Sequence, residues 1–214
     1  MYDLKALYEA ESVQDAVRLR LEHPEAQIIA GGTDVLVQMR EGKRAGVELI
    51  SIYGIDAMRG ITLDEEENIR VGSLTCFTAI TNDPIIQKYI NVLGEAVDEV
   101  GGPQIRNAGT IGGNTCNGVT SADSASTLFI ELTGKDGVRR IPIADFYISA
   151  GKVDLRPDEI QTAILIPKAS YENCFGKYIK YAMRNAMDIA TIGCSVNAVL
   201  SEDKKTVDRV RIAY

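Results

Sequence analysis

The chain contains a single histidine among 214 residues, and that scarcity excludes much chemistry. His23 stands beside Pro24, where the pattern predicts a helix end. One imidazole cannot build a multi-His metal site and weighs against a Ser-His-Asp triad. The cysteines Cys76, Cys116, Cys174 and Cys194 form no C-x-x-C pair. Zinc and iron–sulfur sites usually show at least one close pair, so these are expected as reduced, mostly buried thiols with no metal ligand among them. No apolar run approaches the ~18 residues needed to span a bilayer. The Met1-Tyr2-Asp3-Leu4-Lys5 start has no apolar h-region, which argues against secretion and makes the cytoplasm the expected location. A basic excess is missing too: 23 Lys and Arg face 30 Asp and Glu, for a net charge of -7, so no nucleic-acid partner is expected. The one dense acidic run, Asp64-Glu65-Glu66-Glu67, is expected as a solvated turn between two strands.

What is present is an ordinary globular composition, 45% apolar and 25% charged, on a chain long enough for one large or two small domains. The first stretch reads as helix, strand, helix, strand. Ser12 with Asp15 resembles a capping box ahead of Ala16, Val17, Leu19 and Leu21. Ala26 to Ala30 reads as a short strand, Val35 to Met39 has helical spacing, and Val47 to Ile52 is another apolar strand. Gly60 to Leu63 and Asn68 to Gly72 flank the acidic turn as a hairpin, followed by helix starts at Phe77 and Pro84 and a helix from Leu93 to Val100. Gly101 to Ala125 is too polar for a core element, yet too long for a simple turn. Beyond it, Val138 to Ile143, Lys177 to Met183 and Gly193 to Leu200 are strand candidates, and Ile160 to Ile166, running into Pro167, suits an edge strand.

Two glycine loops carry the chemistry. Ala30-Gly31-Gly32-Thr33-Asp34 follows a strand and opens a helix, so its backbone amides can converge on an anion that no Cβ keeps away. Alone, such a loop is equally a plain turn. The G-x-G-x-x-G and G-x-x-x-x-G-K-[ST] fingerprints are both absent. A carboxylate beside a diphosphate would repel it, so Asp34 is expected to turn back and cap backbone amides while Thr33 offers its hydroxyl. The second loop, Thr110-Ile111-Gly112-Gly113-Asn114, again sets paired glycines beside a hydroxyl and an amide. Two such cradles suit a long ligand with a central diphosphate. Asp123 suits ribose or ribityl hydroxyls, or is an Asx-turn residue; Arg106 suits phosphate or packing.

Ala30 to Leu36, Gly102-Pro103-Gln104-Ile105-Arg106-Asn107 and Thr110 to Asn114 together resemble the FAD-binding signatures of the molybdenum hydroxylase flavoprotein family. That family includes the flavin subunits of xanthine, carbon monoxide and nicotinate dehydrogenases, and Cys116 to Ala125 most resembles its bacterial xanthine dehydrogenase branch. The resemblance implies an α+β fold of the FAD-binding type-2 (vanillyl-alcohol-oxidase, PCMH-like) class, with FAD held between subdomains 1–54 and 55–169. Residues 170–214 would begin a C-terminal α/β domain, incomplete in this chain. By position, Ile29, Ala30, Gly31, Gly32, Thr33, Asp34, Val35 and Leu36 would wrap the diphosphate, helped by Gly101, Thr110, Ile111, Gly112, Gly113 and Asn114. Asp123 would take the sugar side, Ile160 or Gln161 would pack near the flavin, and Lys180 would approach its ring, where a cation stabilises the reduced anion. Lys180 also reads as a solvated strand residue. No general acid or base is required.

Family members place a strand before the Gly134-Lys135-Asp136-Gly137 turn, and the interval Ser126 to Thr133 is short for one. No Cys-rich insertion is visible, so flavin alone is expected. The implied partners are a molybdenum-cofactor subunit that oxidises xanthine or a similar heterocycle, a [2Fe–2S] subunit, and NAD+ as acceptor. A stand-alone flavin oxidase or reductase, and a flavin-free scaffold module, are the alternatives.

Overall fold

The computed structural model describes residues 3–118, 128–184, 187–188 and 190–213. The chain opens with β1 (Leu4–Glu9), α1 (Val13–Glu22), β2 (Gln27–Ile29), α2 (Val35–Arg40) and β3 (Val47–Ser51). These strands form a parallel sheet in the order β1-β3-β2. Ser12 caps α1 by accepting from the Asp15 amide at 3.1 Å, and Ala16, Val17 and Leu19 face the core, as the pattern required. Strand β1 is an addition to the expected set. It lies at a sheet edge with Leu4 41% and Leu7 50% exposed, so its residues give no buried alternation to read.

The next stretch holds β4 (Ile61–Leu63), β5 (Ile69–Gly72), α3 (Phe77–Asn82), α4 (Pro84–Tyr89) and α5 (Asn91–Asp98). It continues through α6 (Pro103–Ala108), α7 (Ile111–Cys116), β6 (Phe129–Gly134), β7 (Gly137–Pro142), α8 (Ile143–Phe146), β8 (Tyr147–Ser149), β9 (Lys152–Val153) and β10 (Ile160–Ile166). The antiparallel sheet runs β4-β5-β10-β6-β7. Two expectations are corrected here. Strand β10 is central rather than an edge, and all of it but Leu165 is buried. Pro167 falls just after the strand and so removes no ladder bond. The interval before the Gly134 turn is long enough: β6 forms a full strand between β10 and β7. In its described part, the polar segment after Gly101 holds two short helices, α6 and α7.

After α9 (Lys168–Tyr171), strands β11 (Cys174–Tyr181), β12 (Ile192–Leu200) and β13 (Val207–Ala213) form an antiparallel sheet, with β11 packed on α5. The whole is the α+β class expected. Its larger core joins Ile69, Val71, Ile130, Leu132, Ile164 and Ile166 of the central sheet to Phe77, Ile80, Ile86 and Val97 of the helices. A second core gathers Ala16, Val17, Leu19 and Ile50 with Leu74 and Ile160. The N-terminal unit is thereby cemented to the central sheet at the start of β10. Among the described residues no helix is long and apolar enough to cross a membrane.

Glu131 of β6 is 7% exposed, and it ties the central sheet together. Its carboxylate accepts from Arg70 at 3.1 Å, from Arg140 at 3.0 and 3.2 Å, and from the Thr162 hydroxyl at 3.1 Å. Burial pushes its pKa up, but the hydrogen bonds from Arg140 and Arg70 outweigh burial and hold it below 4.5. A carboxylate with a lowered folded pKa contributes stability in full above its ordinary value and loses it as pH falls through the folded one. Glu131→Gln should therefore cost about 1–3 kcal/mol near neutral pH. In urea denaturation at pH ~7 and pH ~3 the gap from wild type should shrink at the acid end.

Candidate functional site

The two glycine loops meet. Ala30 to Asp34 leaves β2 and enters α2, and Gly31 lies against the end of α6: a Cβ there would sit 1.8 Å from the Ala108 carbonyl oxygen. Gly31 is thus required by the approach of two backbones, before any ligand is considered. Gly32 adopts φ +73°, the left-handed region, with the Leu36 and Ile29 side chains packed beneath it. Among the described residues, the backbone amides of Gly31, Gly32, Thr33 and Asp34 donate to no protein acceptor. A succession of free amides in a turn is an anion-binding concavity.

The second loop differs. Thr110 caps α7 by accepting from the Gly113 amide at 3.2 Å. The Ile111 amide donates to the Thr75 carbonyl at 3.0 Å and the Gly112 amide to the Ser73 carbonyl at 2.9 Å. The amides of Ile111, Gly112, Gly113 and Asn114 are all spent within the protein, the last on the Thr110 carbonyl at 3.0 Å, so this loop offers no run of free amides like the first. Gly112 serves packing, because a Cβ on it would meet the Ser73 Cβ at 2.5 Å. Gly113 is open by comparison; its Cβ would touch only the Thr110 hydroxyl, at 3.0 Å.

Between the loops lies a cleft of about 330 Å3. Of the expected residues, Ala30, Gly31, Gly32, Thr33, Asp34 and Val35 line one wall, and Thr110, Gly112, Gly113 and Asn114 another. Ile160 and Gln161, from the start of β10, close its base. Ile29, Leu36, Ile111 and Gly101 are not part of this lining. Ile111 belongs to the larger core, and Gly101 takes a left-handed φ of 54° at the turn into α6. Lys180 is outside the lining as well; its ammonium donates to the Glu99 and Asp188 carbonyls, both at 2.7 Å. Asp123 lies outside the described residues. Asp34 makes no cap: its carboxylate accepts from the Gln38 amide at 2.6 Å instead of from backbone N–H groups. The i to i+4 spacing on α2 brings that amide within reach. Arg106 is a packing residue, 3.2 Å from Asp98 and bonded to the Val100 and Gly101 carbonyls.

Gln161 is 4% exposed, and a register shift in β10 beside it re-aims the chain at the cleft. Its carbonyl oxygen accepts from Thr115 at 2.9 Å and from the Cys116 thiol at 3.0 Å. Burial pushes that thiol up to about 12, so it remains a protonated donor. Its Nε2, the Ser73 Oγ and the Arg20 Nε are the buried side-chain polar atoms without a partner among the described residues, and all three residues line this cleft. Such an atom costs about 1–3 kcal/mol when nothing fills its bonds, so three of them in residues that line one cleft mark it as a candidate ligand site. Sequence reading missed Ser73 and Arg20. Neither sits in a glycine motif, and only the return of β5 past α7 brings Ser73 to the cleft.

Residues 2–169 match the family model described as the FAD binding domain in molybdopterin dehydrogenase. The chain is 40% identical over 219 aligned positions to the xanthine dehydrogenase FAD-binding subunit of Escherichia coli O157:H7, covering all of this chain and 74% of that protein. It is 33% identical over 174 positions to the nicotinate dehydrogenase FAD-subunit of Eubacterium barkeri, covering 78% of this chain and 58% of the relative. Among solved structures, a chain of carbon monoxide dehydrogenase from Hydrogenophaga pseudoflava superposes with a TM-score of 0.90 at 28% identity, over 99% of this chain and 74% of that one.

The glycines separate by role. Gly31→Ala should cost at least about 3 kcal/mol, because the clash is with backbone that cannot swing aside. Gly54→Ala, where a Cβ meets nothing within 4 Å, should stay within about 0.5 kcal/mol of wild type. Urea unfolding of both variants measures the difference.

Proposed function

The chain belongs to the family of FAD-binding domains of molybdopterin dehydrogenases, and from that premise we propose that it is the electron-transfer subunit of a molybdenum hydroxylase. In this reading electrons arrive from [2Fe–2S] clusters on one partner subunit, after a molybdenum-cofactor subunit has oxidised xanthine or a similar heterocycle. They leave to NAD+, and the assembly works in the cytoplasm. FAD accepts electrons singly and returns them in pairs, which joins one-electron clusters to a hydride acceptor. The observation that carries the reading is the run of free amides from Gly31 to Asp34, facing the Thr110 to Asn114 segment across one cleft.

The residues fit the cofactor. Four free amides suit the diphosphate, and the unpartnered Gln161 and Ser73 groups, set among Ile160, Leu74 and Phe77, suit a flat heterocycle with a few polar atoms. Ile29 to Leu36 would hold the diphosphate from the 1–54 unit. Gly101, Thr110, Ile111, Gly112, Gly113 and Asn114 would close the cleft from the 55–169 unit, with Asn114 and Thr33 offering side chains. Ile160 and Gln161 would meet the flavin, and Asp123 the sugar hydroxyls. Lys180, which spends two ammonium hydrogens on carbonyls, would approach the flavin ring with its third. Residues 170–214 would begin a C-terminal domain. The chain's work is to bind, orient and exclude water; no side chain needs to move a proton.

Purified chain should carry one FAD, with absorbance bands near ~375 and ~450 nm. Gly113→Val, which projects two methyl groups into the cleft, should lower FAD affinity at least about tenfold with little loss of fold; full occupancy in that variant would remove the second wall from the site. Anaerobic NADH should bleach the ~450 nm band. A flavin that dithionite reduces and NADH does not would exclude the nicotinamide acceptor.

A further inference from the structure

The donors in the cleft divide into two kinds by position. The free amides from Gly31 to Asp34 belong to a half-buried loop, where an anion keeps part of its hydration. Ser73 and Gln161 are 2% and 4% exposed and stand next in sequence to Leu74 and Ile160, both core residues. A doubly charged diphosphate is disfavoured against such a wall, whereas an uncharged ring with carbonyl and imine acceptors loses little by entering it. Gln161 is also oriented: Thr115 and Cys116 both donate to its carbonyl oxygen, which leaves the buried NH2 group, in a residue that lines the cleft, without a partner among the described residues. Ser73 is fixed as firmly. Its amide donates to the Thr162 carbonyl at 3.0 Å, and its own carbonyl accepts from Gly112 at 2.9 Å, so only the hydroxyl is uncommitted.

We propose that Ser73 is a cofactor-binding residue, and that its hydroxyl acts with the Gln161 amide as a donor pair for the acceptor atoms of the flavin ring. Thr115 and Cys116 are positioning residues, which set the Gln161 amide by filling its oxygen. The inference rests on the FAD reading above and goes beyond it by naming the part of the cofactor that this wall receives.

The test uses the full chain stripped of flavin and titrated with FAD, and separately with ADP as a probe of the diphosphate end. Ser73→Ala should weaken FAD roughly three- to tenfold, the value of one net hydrogen bond, and shift the visible band of the bound flavin. ADP affinity should stay unchanged. The flavin-free variant should unfold at the same urea concentration as wild type or higher, because an unpartnered hydroxyl has been removed. Gln161→Leu should behave likewise toward FAD and ADP, and Ser73→Ala decides the matter if Gln161→Leu does not fold. Wild-type affinity with an unshifted band in Ser73→Ala overturns the proposal, and so does an equal loss toward ADP. A wild-type chain that binds no FAD fails the reading it rests on, and that outcome is seen before any variant is made.

Discussion

Between Gly31 and the Ala108 carbonyl there is no room for a side chain, and the remainder of the cleft follows from that contact. It brings the end of β2 against the end of α6, so the loop that opens α2 faces the segment that opens α7. The second wall is held in turn by the strand beneath it. Ser73 and Thr75 accept from the Gly112 and Ile111 amides, and the Phe77 amide donates to the Gly109 carbonyl at 3.2 Å. Backbone bonds therefore tie the segment after β5 to α7, and the close approach of Ala108 to Gly31 sets the first glycine loop against that wall. The core groups Leu74 and Ile160 with the N-terminal unit, so the same junction is closed by apolar packing below.

This construction divides labour among glycines that look alike in the sequence. Gly31 and Gly112 are small because backbone or a neighbouring Cβ occupies the space a side chain would need. Gly32 is glycine for its left-handed φ, and Gly113 leaves the cleft open. The amides divide too. Those at the start of α7 are consumed by the protein, while those from Gly31 to Asp34 are not. The paired motifs resemble each other in composition only: one is a turn of free backbone amides, the other the fixed wall opposite.

Much of this was legible in advance. Helix α1, the β4–β5 hairpin and the βα turn at Gly31 follow from capping, turn chemistry and periodicity. The location of the cleft followed from the glycine loops together with the family resemblance. What could not be read depended on tertiary pairing. The place of β10 in its sheet is decided by β5 and β6 on either side, and nothing within Ile160 to Ile166 records both neighbours. Helices α6 and α7 escape a periodicity search because each spans six residues, α6 buries none of them, and α7 buries Gly112 and Thr115 beside a single apolar residue, Ile111. Ser73 carries no motif at all. Its place in the cleft comes from the bonds its backbone makes to β10 and α7.

The electrostatics of the cleft suit a relay more than an acid–base catalyst. Glu159 lines it at 3% exposure, but Arg139 meets both its carboxylate oxygens, at 2.6 and 2.8 Å, and these bonds raise the arginine's pKa further. Asp34 is bonded to Gln38, and the Cys116 thiol is kept protonated by burial. Each of these groups is paired or buried, and beside them the cleft is lined by backbone amides, neutral side chains and Arg20. A general acid or base must be free to exchange its proton with a bound substrate, and these groups are already engaged within the protein. A redox cofactor asks for the opposite: fixed dipoles that hold it in place and do not titrate as its charge changes. Leu74, Phe77 and Ile160, which line the cleft among those dipoles, belong to the two apolar cores, so the packing that closes the core beneath β10 also shapes the cleft.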